Sequence, residues 1–180
     1  PFYELTLFNL SVVFYLVSTA GYFTYILVRK NAVWFVGFSS ALLGCLSATV
    51  ALGLRWVAAG WHHPPFTNMY ESLVFFAWGI VLVYLVFERK YKIRLAGAFI
   101  IPLAFAAMGL ASLSPDKSIE PLVPALQSIW LHLHVATASI GYAAFLVAFG
   151  LSLLLLIKLK SSFNHIFAVC SVIGVAALLA

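Results

Sequence analysis

Charge is what this chain has least of. Of 180 residues only 8% are charged, and five are acidic. A soluble domain carries about a quarter charged residues, so that class is excluded. The mean hydropathy of +1.09 agrees. Cysteine is equally sparse: Cys45 and Cys170 lie inside apolar runs with no CxxC spacing, and both read as small buried hydrophobes. No HxxxH, CxxC or carboxylate cluster provides a zinc site, so metal-dependent hydrolysis is not indicated. Between span ends there is essentially no charge apart from Arg55, which argues against a proton or ion path. Repeats, low-complexity segments and a second domain are absent. No period-2 alternation suggests a membrane barrel.

What is present is apolar sequence in long runs. Several reach the ~20 residues that a spanning helix needs, and together they predict an all-α, polytopic transmembrane helical bundle of about six spans. The runs are Leu5–Val28, Ala32–Ala59, Tyr70 to Glu88, Leu95–Leu113, Pro124–Ile157 and a short sixth, Phe163–Ala180. The first lacks a basic leader and a small-residue cleavage site, so it reads as a span and not a cleaved signal. The chain starts at Pro1 and stops at Ala180 within an apolar run. Residues 1–180 therefore read as a single transmembrane domain, the N-terminal portion of a longer protein.

The basic residues set orientation. Of the ten Lys and Arg, eight (Arg29, Lys30, Arg89, Lys90, Lys92, Arg94, Lys158 and Lys160) fall in alternate connections, and only Arg55 and Lys117 fall on the other side. That bias puts the former in the cytoplasm and the N-terminus outside. The charge of +5 thus reads as topology signalling, with no nucleic-acid partner.

Two outward segments carry unusual chemistry. The first, Gly60-Trp61-His62-His63-Pro64-Pro65, breaks one helix before Asn68 and Glu71 start the next. Prolines cannot continue a helix and hold the preceding residue extended. Asn68, or Thr67, suits an N-cap, with Glu71 completing a capping box. The second segment is Trp130-Leu131-His132-Leu133-His134. Counting 24 residues back from Lys158 gives roughly 36 Å of helix, which puts His134 at or above the outer edge of a ~30 Å hydrocarbon core. Trp130 lies one turn away on the same face, continued by Ala138 and Gly141, whereas His132 points to nearly the opposite side. His134 reads either as an interfacial residue beside a belt tryptophan or as a ligand. His62 and His63 read as a solvated loop pair or as ligands. Glu71 reads as a cap or as a site residue. Outward histidines on a neutral, aromatic bundle suit a large flat ligand with iron at its centre.

The stretch Pro65-Phe66-Thr67-Asn68-Met69-Tyr70-Glu71-Ser72-Leu73-Val74-Phe75-Phe76-Ala77-Trp78 resembles the P-[LF]-[ST]-N-[LM]-Y-E-S-L-x-F-x-x-W signature of CcsA/ResC-type proteins of system II cytochrome c biogenesis. Leu126-Gln127-Ser128-Ile129-Trp130-Leu131-His132-Leu133-His134-Val135 is similar to that family's segment around its first external haem-ligating histidine. The resemblance implies an integral protein of a bacterial cytoplasmic (inner) or thylakoid membrane, which moves haem outward as a component of a holocytochrome c synthase, or haem lyase. It also implies haem b (iron protoporphyrin IX), a CcsB/ResB-type partner subunit and an apocytochrome c with a CxxCH motif. By this match His134 is the axial ligand of the haem iron, Trp130, His62, His63 and Glu71 contribute to the haem site, and no residue is catalytic. His62 and His63 stand near a family histidine with altered spacing. The family's tryptophan-rich segment and its later histidines are not in this sequence, so 1–180 alone is expected to be inactive. The competing readings are a non-catalytic haem-binding or assembly-stabilising membrane subunit and a small-solute transporter, the latter disfavoured by the lack of broken helices.

Overall fold

A computed structural model describes residues 2–60, 64–65, 68–114, 117–119 and 128–158. It consists of α1 (Phe2–Val28), α2 (Asn31–Ala58), α3 (Met69–Tyr91), a 3-10 turn (Arg94–Ala96), α4 (Gly97–Leu113) and α5 (Ile129–Lys158). Five helices among the described residues are long and apolar enough to cross a membrane. Their ends agree with the apolar runs to within a few residues, except that Pro124 and the sixth run, Phe163–Ala180, lie outside the described residues.

Lipid is as apolar as a leucine side chain, so helices in a membrane associate through close packing and interhelical hydrogen bonds. The α1–α2 pair is built that way. On α1 the buried residues Glu4, Phe8, Ser11, Tyr15, Ser18 and Tyr22 recur every three or four positions, one stripe of a helix. Facing them, α2 buries mostly small residues, among them Gly37, Ser40, Ala41, Gly44, Ser47 and Ala48. A Cβ on Gly21 would sit 2.9 Å from the Gly37 Cα, so the two backbones touch. Ser18 Oγ donates to the Gly37 carbonyl at 2.8 Å and Ser47 Oγ to the Leu7 carbonyl at 2.8 Å, stitching the helices together.

Helix α3 packs on α4, α4 on α1, and α5 leans chiefly on α3. Asn68 caps α3 as expected, its Oδ1 accepting from the Glu71 backbone N–H at 2.8 Å, while Thr67 lies outside the described residues. At the other end of α3, Glu88 is buried and accepts from Tyr22 Oη at 2.5 Å and Trp34 Nε1 at 2.6 Å, joining α1, α2 and α3. Gly97 opens α4 against that cluster. A Cβ there would meet the rings of Tyr22 and the hydroxyl of Tyr84 at 2.5 Å. Cys45 is buried as expected, and Cys170 lies outside the described residues.

Candidate functional site at the histidine-bearing end

The end of the bundle that carries the histidines is organised by one guanidinium. Arg55, in the last turn of α2, is 4% exposed. Its Nε donates to Glu71 Oε1 at 2.6 Å and its Nη1 to Glu4 Oε1 at 2.9 Å. Its Nη2 donates to the carbonyls of Lys117 and Ser118, both at 2.9 Å. One planar fork thus ties α1, α2, α3 and the connection before α5 together, a task suited to arginine and not to a point charge. Asn68 Nδ2 adds a second tie to the Ser118 carbonyl at 3.1 Å. The Tyr70 ring lies 5.0 Å from the Arg55 guanidinium and 5.8 Å from Lys117 Nζ. Two carboxylates and two cations therefore gather here, each buried charge facing an opposite one, as burial demands.

Beside this clamp runs an aromatic groove of about 620 Å³. Trp56 from α2, Phe75 and Trp78 from α3, Pro64 and Pro65 from the connection, and His132 from α5 border it. Phe75 stacks on Trp78 with centroids 5.3 Å apart, and Trp78 Nε1 donates to Thr49 Oγ1 at 2.8 Å, which fixes the indole. Small residues leave the floor open: a Cβ added to Gly53 would meet nothing within 4 Å. A groove of this size, apolar with few polar groups, matches the general form of a small-molecule site.

The sequence-derived site residues fall into three places. Glu71 is buried at 1% exposure and its carboxylate engages Arg55, so it belongs to the clamp and does not border the groove. His134 and Trp130 are exposed together on one face of α5, Trp130 at 76%. His132 sits on the other side of the helix and borders the groove. His62 and His63 lie outside the described residues. The α5 helix therefore opens with two imidazoles facing different surroundings, one bordering the aromatic groove and the other exposed. Among the described residues no three His, Cys, Asp or Glu side chains cluster as a metal-ion site.

Trp56, Phe75, Trp78 and His132 were not singled out as groove residues by sequence reasoning. The α3 signature contains two of them, yet spacing along one helix does not reveal what the facing helix contributes. The Glu4 partner of Arg55 is likewise 51 residues away in the chain and carries no local signal.

A family model described as Cytochrome C assembly protein matches residues 66–178. A "Cytochrome c biogenesis protein CcsA" of Guillardia theta is 31% identical over 157 residues, covering 85% of this chain and 52% of the relative. One of Pyropia yezoensis is 43% identical over 122 residues, 66% of this chain and 38% of the relative. One of Trichormus variabilis is 38% identical over 125 residues, 68% of this chain and 35% of the relative. The chain spans about half the length, or less, of these curated relatives. No solved structure matches it.

Proposed function

Because the chain belongs to the cytochrome c assembly protein family, with α3, α4 and α5 all inside the matched region, we propose that it serves cytochrome c maturation by holding haem at the histidine-bearing end of the bundle. The basic connections support placing that end outside, on the far side of a bacterial inner or thylakoid membrane from the cytoplasm. The substrates are then haem b and an apocytochrome c whose CxxCH thiols receive it, and the partner is a CcsB/ResB-type subunit. These belong to the whole protein, of which residues 1–180 form a part.

One observation carries the reading: α5 begins with two imidazoles, His132 bordering an aromatic groove and His134 exposed on the other face. Imidazole is a common axial ligand of haem iron, and an apolar wall suits the porphyrin faces. His134 is the axial ligand in this proposal, with Trp130 beside it, because the family motif aligns on His134. The site fits such a cargo in donor type and in size of groove. Haem supplies the vinyl groups to which thiols add, and this chain's residues hold and orient it, without a general base. Glu71 acts through Arg55 as a positioning residue: the clamp sets the connection that leads into α5. His62 and His63 stand as further candidates on the same side.

A second reading of the ligand rests on geometry alone. His132, and not His134, borders the aromatic groove. Purified full-length protein decides between them by its pyridine haemochrome and reduced absorption spectra. His134→Gly is expected to lose bound haem and regain it with added imidazole, while His132→Gly keeps it. The reverse pattern assigns the iron to His132. A native protein without haem, together with a His134→Gly variant that still matures a reporter cytochrome c, sinks the haem reading of this end.

A further inference from the structure

At the opposite end of the bundle, a cavity of about 760 Å³ opens between α1 on one side and α4 and α5 on the other. Its body is aliphatic and aromatic, with Ile26, Phe99 and Leu154 facing in, and its mouth carries Arg29, Lys92 and Arg94. No carboxylate lines it. Glu88, the acidic residue of this end, is buried, accepts from Tyr22 and Trp34, and feels the charge of Arg94 without pairing with it. Among the described residues none of the three cations forms an ion pair. Arg94 is nonetheless held in place, stacked 4.0 Å from the centroid of Trp34 and donating from Nη1 to Asn31 Oδ1 at 2.8 Å.

A backbone feature points the same way. Arg29 and Lys92 are the two non-glycine residues with positive φ among the described residues, at 57° and 56°. Both follow a helix C-terminus, where Arg29 N–H returns to the Tyr25 carbonyl at 3.0 Å and Lys92 N–H to the Glu88 carbonyl at 2.7 Å. Glycine or asparagine ordinarily takes that left-handed position. A long cationic side chain there costs conformational energy, and both instances border this one cavity. Strained positions that converge on a cavity point to a use for the side chains they carry.

We propose that this cavity seats an anionic phospholipid, its phosphate between Arg29, Lys92 and Arg94 and an acyl chain along Ile26, Phe99 and Leu154. Basic pockets between spanning helices suit such headgroups. Among the described residues α1 and α5 scarcely touch on either side of the cleft, which leaves room for an acyl chain between them. The site is separate from the histidine-bearing end and does not depend on haem binding there.

Native mass spectrometry tests it on the full-length protein in neutral detergent, offered phosphatidylglycerol or phosphatidylcholine at equal concentration. Phosphatidylglycerol is expected to be retained preferentially. Each cation near a membrane surface contributes about fivefold to anionic-lipid affinity. Arg29→Gln with Lys92→Gln should therefore lower phosphatidylglycerol retention roughly 25-fold and leave phosphatidylcholine unchanged. Arg29→Gly with Lys92→Gly, which relaxes both left-handed positions, should give the same loss, separating the charge from any change in folding. Leu154→Trp, which fills the apolar part and spares the cations, should lower retention of phosphatidylglycerol as well. Equal retention of the two lipids by the native protein overturns the proposal. So does a preference that survives both double substitutions, or displacement of the lipid by equimolar iron protoporphyrin IX.

Discussion

Replacing Arg55 by leucine should be among the most damaging single changes in the bundle. The guanidinium faces two carboxylates, Glu4 at 8% exposure and Glu71 at 1%. Removing it takes from both carboxylates the guanidinium they pair with. Breaking a buried pair by deleting one partner costs about 3–5 kcal/mol. The lost bonds to the Lys117 and Ser118 carbonyls add little, because Ser118 is exposed and water can replace the donor. The expected total stays near 3–5 kcal/mol, a large fraction of a typical folding free energy of 5–15 kcal/mol. Lysine at the same position retains the charge but not the fork that reaches α1, α3 and the loop together, and should recover about half of the loss. The stronger test is the triple variant Glu4→Met, Arg55→Leu, Glu71→Met. Replacing a whole buried ionic cluster with apolar groups of similar volume is often neutral or stabilising, so it should be more stable than Arg55→Leu alone. Equilibrium unfolding in mixed micelles, titrated with a denaturing detergent, reads all four proteins. An Arg55→Leu variant within about 1 kcal/mol of native, or a triple variant no better than the single, would refute a buried, mutually dependent cluster.

Other predictions follow from the packing. Gly97→Ala places a methyl 2.5 Å from Tyr22 and Tyr84 and should cost about 1–3 kcal/mol by overpacking, whereas Gly109→Ala, with nothing within 4 Å, should be neutral in the same unfolding titration. Glu88→Leu strands the Tyr22 hydroxyl and the Trp34 indole N–H, with an expected loss of about 1–3 kcal/mol for each unsatisfied group; Glu88→Gln, which keeps an acceptor, should lose less. Trp78→Phe removes the indole donor to Thr49 Oγ1, which still donates to the Cys45 carbonyl, and loosens one wall of the groove that His132 borders; haem retention should fall modestly if His132 holds the iron and stay unchanged if His134 does. For sidedness, cysteine placed at Lys117 should react with an impermeant maleimide from outside intact cells and cysteine at Lys92 should not; the opposite labelling would reverse the assigned orientation.

The spans were legible because each is a local property: an apolar run between polar breaks reads directly as a helix of a given length. The cap at Asn68 was legible for the same reason, since donor and acceptor stand three residues apart. Glu71 shows where locality ends. Its place in the first turn of α3 suggested a capping carboxylate, yet its side chain serves Arg55, 16 residues upstream. Glu88 looked like one more charge at a span end, and its partners lie 54 and 66 residues away. Helical periodicity correctly placed His132 and His134 on opposite faces of one helix. It had no means of saying which face meets Trp56 and Trp78, because that depends on how α5 leans on α3.

The clamp also dictates an order of events while the chain is being made. Arg55 leaves the ribosome 16 residues before Glu71 and 63 before Ser118, its last acceptor. At about 5–20 residues per second, the guanidinium waits on the order of 3–13 s for a complete set of partners. Until Glu71 emerges only Glu4, already synthesised, can accompany it. The first two helices, joined by Arg29 and Lys30 alone and touching backbone to backbone at Gly21 and Gly37, can settle into the bilayer early as a hairpin. Its arginine corner stays hydrated at the headgroups until the third helix and the following loop arrive to close over it. Closure of this corner thus waits on the connection that precedes the histidine-bearing helix.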